Sequence, residues 1–352
     1  MQPDWTVATA RWWHMPGITQ LIRHSRRRPG AAGVAHEAIL WSPFWSPSVG
    51  LVQSLWGSRL PGVPATISHV VELAGTIIGL GQCRPRADAR QWEVTFLSLA
   101  PETIEMAVMP SGFPDRRAQQ LLGRLCDTAI ERGAERIFAM ARDDGDGAPV
   151  LRQLSFSPVT RELTFMLAPS VPPDGVDNPP VLPMIDGLRR LERSDAFGVH
   201  QLYRATTPPV VQLAEARRPQ SWEPPRARFG GLPRLSRGVT GRRWVVVQED
   251  RVVGWAHLSV ARRGAHHLSL MIDPAHPSLA SSLIAVATDA ARRVRGVSVF
   301  ASVRDHQWPE REALETAGFR LYESHVLMMK QLALAVPLAR RNLAPAIERV
   351  VS

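Results

Sequence analysis

Lysine is almost missing from this chain. Lys330 is the only one among 42 lysines and arginines, so the formal net charge of +10 is carried by arginine. The arginines are scattered, with tight clusters only at Arg26-Arg27-Arg28, Arg292-Arg293-Val294-Arg295 and Arg340-Arg341. A surface that tracks phosphates needs basic residues gathered on one face. This distribution reads instead as solvated surface, and no specific nucleic-acid partner is expected. Two cysteines, Cys83 and Cys126, offer neither a disulfide framework nor a metal-ligand spacing, so a reducing cytoplasm is the expected location. The eleven histidines show no His-x-x-x-His pattern, and no metal is expected. No apolar run approaches the roughly 18–20 residues of a membrane-spanning helix. Residues Met1 to Arg28 lack the apolar core and small-residue cleavage site of a secretory signal. Tyrosine is also scarce, with only Tyr203 and Tyr322.

What the chain does have is length and apolar content for two cores: 352 residues, 45% hydrophobic. Pro169 to Pro183 is so rich in proline that it reads as an extended linker, because proline removes backbone donors and disfavours helix before it. The expected division is residues 1–168, a linker at 169–183, a second unit at 184–332 and a tail at 333–352.

The two units repeat one another. Ile77-Ile78-Gly79 answers Val252-Val253-Gly254, and Glu93 to Pro101 answers His266 to Pro274. Ile137 to Asp143 answers Val299 to Asp305, and Leu154-Ser155-Phe156 answers Ala317-Gly318-Phe319. On this alignment Glu93 and His266 occupy equivalent places. In the second unit, alternation predicts strands over 188–192, 244–248, 252–260, 266–272, 297–303 and 320–329. Helical period predicts helices over about 195–204, 278–295 and 309–317, the first capped by Ser194 or Asp195. The first unit's main helix carries Leu121, Leu122, Leu125, Cys126, Ala129 and Ile130 on one stripe and stops at Gly133. A further short helix is expected near Val210–Ala216. The tryptophans Trp5, Trp12, Trp13, Trp41, Trp45 and Trp56 are expected to pack a core or lid.

This order is strand, helix, three antiparallel strands, long helix, strand, short helix and a last strand after a Gly-Phe turn. Together with the Val-Val-Gly hairpin and the hydrophobic-x-Pro strand end, it resembles the GNAT family of acyl-CoA-dependent N-acyltransferases, present as two tandem copies. The resemblance implies an α/β (α+β) fold, each copy a mixed, mostly antiparallel sheet flanked by helices. It implies acetyl-CoA as co-substrate, with a primary amine of a small molecule or peptide as acceptor. GNAT members usually open the long helix with an Arg/Gln-x-x-Gly-x-Gly/Ala loop, where backbone N–H groups and the helix N-terminus receive a pyrophosphate. In the second copy those places hold Ser278, Ala280 and Ser282, which keep small size without glycine. The backbone of Leu270, Met271 and Ile272 is expected to hold the acyl carbonyl and pantetheine. In the first copy the loop before the helix is longer, and only Arg116 and Arg117 stand near its start.

The tyrosine acid found in many members is replaced by Leu314 and Leu151. The general base expected near the start of the fourth strand falls on Glu93 in the first copy and His266 in the second. His266 sits in the copy with the shorter loop, so it is the expected base, with neighbouring His267 turned the other way. The missing glycines and tyrosines support the alternative: a tandem GNAT-like module that binds a ligand or partner protein without catalysis.

Overall fold

The computed structural model describes residues 5–25, 40–41, 47–56, 66–86, 88–100, 116–145, 147–169, 184–224, 240–260, 265–292 and 298–332. Most of the linker, the tail, the loop at 101–115 and residues 225–239 lie outside these.

The first half contains strands β1 (Trp5–Thr9), β2 (Leu40–Trp41), β3 (Ile67–Leu73), β4 (Thr76–Pro85), β5 (Gln91–Leu99), β6 (Arg136–Arg142) and β7 (Ser157–Leu167). Its helices are α1 (Met15–Ser25), α2 (Pro47–Trp56), α3 (Arg116–Glu131) and α4 (Gly147–Gln153). The second half contains β8 (Leu188–Arg190), α5 (Ala196–Thr206), α6 (Pro209–Glu215), β9 (Thr240–Gln248), β10 (Arg251–Val260) and β11 (His266–Ile272). It ends with α7 (Leu279–Arg292), β12 (Val299–Arg304), α8 (Trp308–Thr316) and β13 (Arg320–Gln331).

Local chemistry accounts for the elements. The expected stripe of α3 is buried from Ala118 through Ala129. The helix stops because Gly133 adopts φ +82°, which frees Ala134 N–H to reach back to Ala129 O at 2.9 Å. At α5 the cap departs from expectation. Asp195 occupies the N-cap position but spends its carboxylate on Arg189 (2.6 and 2.7 Å) and on Glu192 N–H (2.7 Å) rather than on the helix.

The duplication is visible in the pairing registers. Gly79 pairs with Leu99, and Gly254 pairs with Ile272. A bulge precedes each glycine: Ile78 is passed over between Val71 and Glu72, and Val253 between Val252 and Gly254's partners. In each half two parallel strands pair over four residues, β5 with β6 and β11 with β12. One difference matters below. Strand β5 carries an extra residue, Thr95, skipped between the pairs Gln82–Phe96 and Cys83–Val94, whereas β11 pairs with β10 without interruption. Counting back from the equivalent pairs Leu99 and Ile272, Glu93 therefore corresponds to His267. Both pair with a phenylalanine, Phe138 and Phe300. This corrects the equivalence of Glu93 with His266.

The halves exchange their last strands. The sheet runs β1-β3-β4-β5-β6-β13-β7-β12-β11-β10-β9-β8. Strand β13 closes the first half against β6, and β7 closes the second half against β12; the two lie antiparallel at the centre. Each half buries one core under its long helix. In the first half this core holds Leu121, Leu125 and Ile137; in the second it holds Leu270, Leu283 and Ala301. On the opposite face, α1 and α2 cover Val70, Leu80 and Phe96, while α5 covers Val245, Trp255 and Met271. Trp12 and Trp13 lie outside any core, 71% and 50% exposed, because they form a short turn before α1 instead of a packed face.

Candidate functional site at the fork of the second half

Strands β11 and β12 stay paired from His266–Val299 to Ser269–Ser302 and then part. Beyond the parting point, Leu270 and Ile272 turn backbone groups into the gap. The start of α8 fills it: Gln307 Nε2 donates to Leu270 O (2.9 Å), and Ile272 N–H donates to Glu310 Oε1 (3.0 Å). Burial raises the Glu310 carboxyl above the usual range. The corresponding gap in the first half is taken by the chain's own β2, with Leu40 opposite Leu97 and Trp41 opposite Phe96.

A cavity of about 280 Å³ lies on the α5 face beside the second fork. Strand alternation decides which side chains reach it. His267, Ser269 and Met271 line it, with Ser302 and Arg304 from β12. His267 is hydrogen-bonded to Ser302 Oγ at 3.1 Å. Tyr203 of α5 and Trp255 and His257 of β10 form another wall. His266 points the other way. It is fully buried on the α7 face, where burial lowers its pKa and a backbone contact at Ala291 offsets part of that. The expected base position and the cavity are thus brought together only through its neighbour. Burial and the nearby His257 lower His267 to about 4, and burial lowers His257 likewise to about 4. Both rings are neutral at pH 7.

The cavity floor is an ion network invisible in any local motif. Glu215, 1% exposed at the end of α6, accepts from Arg304 Nη2 (2.5 Å), Arg217 Nε (3.0 Å) and Tyr203 OH (2.8 Å). Burial alone would raise its pKa, but Arg217 and Arg304 hold it far below the usual carboxylate range. Burial and Glu215 together raise the Tyr203 phenol. The network also ties the halves together. Gln91 of β5 donates to Glu215 O (2.6 Å), and Arg136 of β6 donates to Ala214 O (3.0 Å). Glu93, the first-half candidate, lies apart from the cavity lining in ion pairs with Arg84 (2.5 Å) and Arg86 (3.8 Å).

At the opening of α7, Ser278 is exposed, Ser282 is half-buried and Ala280 is fully buried in the second core. Ala280 is small because the helix packs closely on the sheet, not because it leaves space for a ligand. A glutamate there would bury a charge, so it would unfold the half rather than test binding. Arg116 and Arg117 begin α3, as the sequence suggested. Among the described residues there is no cluster of three or more potential metal ligands, and no helix is long and apolar enough to cross a membrane.

A doubled mixed sheet, each half with a parallel fork and flanking helices, is the fold of a tandem GNAT protein, and solved structures agree. A tandem GNAT protein from the clavulanic acid biosynthesis pathway, solved without AcCoA, is 14% identical. It covers 93% of this chain and 98% of its own, with a TM-score of 0.54. A GCN5-related N-acetyltransferase from Sphaerobacter thermophilus is 15% identical over 94% of this chain and 96% of its own, with a TM-score of 0.55. A putative acetyltransferase from Pyrococcus horikoshii is 12% identical over 95% of this chain and 91% of its own, with a TM-score of 0.51. No family model matches the chain, and no curated protein does.

Proposed function

We propose that the second half is an acyl-CoA-dependent N-acyltransferase site, with acetyl-CoA as co-substrate and the amine of a small molecule or peptide as acceptor. The observation that carries this is the cavity at the fork, beside Leu270 and Met271, where a thioester and an amine can meet. The amine attacks the thioester carbonyl and the thiolate leaves. A free thiol has a pKa near 8.5, so no acid is required, and Tyr203, whose proton is held by Glu215, is not assigned one. His267 takes the role of base, since it reaches the cavity and His266 does not. The coenzyme pyrophosphate is assigned to the N-terminus of α7, beside Ser278 and Ser282.

Two outcomes are expected. Ser278→Glu adds a repelling charge at an exposed position, so calorimetry should show acetyl-CoA binding weakened at least about tenfold with an unchanged melting temperature. Equal affinity removes the pyrophosphate from this helix. His267→Ala should lower turnover by about 100-fold while acetyl-CoA affinity stays within about twofold. With a ring pKa of about 4, His267 contributes no inflection near pH 6.5. The rate should instead rise with pH as the acceptor ammonium loses its proton. Wild-type turnover in the variant removes the base.

The filled forks favour a second reading, a binding module that transfers nothing. Leu270 O and Ile272 N–H are already bonded to Gln307 and Glu310. Acetyl-CoA calorimetry, paired with thiol release over a panel of amines, separates the two. Binding without release selects the module, and no binding removes the coenzyme from both.

A further inference from the structure

Two histidine–hydroxyl pairs differ in where the hydroxyl proton goes. His69 Nε2 meets Thr128 Oγ1 at 3.0 Å. That hydroxyl already donates to Arg124 O (2.9 Å), so toward the ring it can only accept. His69 is also sealed, 2% exposed under α3. His267 Nε2 meets Ser302 Oγ at 3.1 Å. Among the described residues Ser302 Oγ makes no other hydrogen bond, so the imidazole is the one protein acceptor for its proton. The ladder fixes this pair. Strands β11 and β12 run parallel with His267 opposite Phe300 and Ser269 opposite Ser302, which sets His267 and Ser302 diagonally on one face. Both are half-buried, and both line the cavity of about 280 Å³.

A serine hydroxyl is a weak nucleophile until a neighbouring base takes its proton. His267 can do so, because burial and His257 hold its pKa at about 4 and the ring is uncharged at neutral pH. A base this weak suits an acyl group whose leaving group departs easily, a thioester or an aryl ester. Arg304 stands two residues further along the same side of β12 and also lines the cavity. Its Nη1 and Nη2 hold Glu215, and among the described residues Nε makes no hydrogen bond. That N–H is left for the negative oxygen that forms when a hydroxyl adds to a carbonyl.

We propose that Ser302 and His267 are a nucleophile and base that hydrolyse activated acyl esters through an acyl-serine, an activity separate from transfer to an amine. Ser302 Oγ attacks the acyl carbon and passes its proton to His267 Nε2. The bond to the leaving group breaks, and the leaving oxygen or sulfur takes the electron pair and then that proton. Water next attacks the serine ester and gives a proton to His267. Ser302 Oγ departs, recovers that proton, and the carboxylic acid is released. No coenzyme enters these steps, so the hydrolase does not rest on the transferase reading.

The test gives the full chain p-nitrophenyl acetate with no coenzyme present. Peptide mapping after an acid quench should find an acetyl group on Ser302. Ser302→Ala should lose that acetyl group and release nitrophenolate at least about 100-fold more slowly. His267→Gln keeps the serine and should also slow release by about 100-fold. The pH profile separates a base from a prop. Wild-type release should be flat between about pH 6 and pH 8, because the ring is already neutral, whereas His267→Gln should speed up as hydroxide replaces the base. Labelling of the unaltered chain decides the matter even if a variant folds poorly. Unchanged release in Ser302→Ala overturns the nucleophile, as does acetylation confined to Lys330, the chain's single lysine. An acetylated Ser302 in a chain that never binds acetyl-CoA would keep the hydrolase and sink the transferase reading. An unlabelled Ser302 in a chain that acetylates amines would do the reverse.

Discussion

Glu215→Ala should lower stability by about 4 kcal/mol, which for a protein of this size is a fall in melting temperature of roughly 5 °C. The reason is not the loss of a favourable ion pair as such. Burying charges costs free energy that pairing only offsets, so a buried pair adds little net stability. Removing one partner is different, because it strands the other. Here the stranded group is Arg304, with a side chain only 14% exposed, beside Arg217 and within the field of Arg86. Tyr203 would also lose the acceptor for its buried hydroxyl. Glu312→Ala, on the exposed side of α8, should change stability by less than about 0.5 kcal/mol. The pH dependence follows from the sign of the shift. A carboxylate held below its ordinary range in the folded state contributes stability that is fully present above its unfolded pKa. That contribution is lost as the pH falls toward the folded value. Thermal melts from pH 7 to pH 3 should therefore show a steep acid loss in the wild type and a shallower one in Glu215→Ala. Equal melting temperatures at pH 7 would mean that the arginines find water when Glu215 is gone, and that the floor of the cavity is wet.

The elements were legible in the sequence because each rests on local pattern. The stripe of α3, the glycine stop at Gly133 and the paired Ile-Ile-Gly and Val-Val-Gly hairpins all act within a few residues. The site was less legible. The order of residues equated Glu93 with His266, but a single bulged residue, Thr95, moves the match to His267. A bulge shifts which face a side chain occupies without any composition signal strong enough to announce it. Ala280 looked like an opening and is a packing contact, since smallness serves both purposes. Apart from the near neighbours Glu215 and Arg217, the network joins residues, Arg86 and Arg304, too distant in the chain for any spacing rule. Its one visible signal was the scarcity of tyrosine: Tyr203 is one of only two, and it lies in the cavity.

Nor could a repeat reveal which copy its last strand completes. The two halves encode similar strands and therefore similar partners, so β7 and β13 can be exchanged at little cost in pairing energy. The exchange changes what cutting the chain should do. Two lobes joined only by the proline-rich stretch would part when it is cut. In this sheet, β13 pairs with β6 from His325–Arg142 to Gln331–Arg136, and β7 pairs with β12 from Val299–Leu167 to Arg304–Glu162. Each fragment would hold a strand inside the other. A protease site inserted between residues 175 and 176, once cleaved, should leave the fragments co-eluting as one species near the mass of the intact 38.9 kDa chain. They should separate only in denaturant. A chain ending at Phe319 removes β13, so β6 keeps only β5 beside it and β7 keeps only β12. That truncation should abolish cooperative unfolding in both halves, although every deleted residue belongs to one of them. Two separate species of half mass after cleavage, or a truncated chain whose first half still melts cooperatively, would show that the halves close their own sheets.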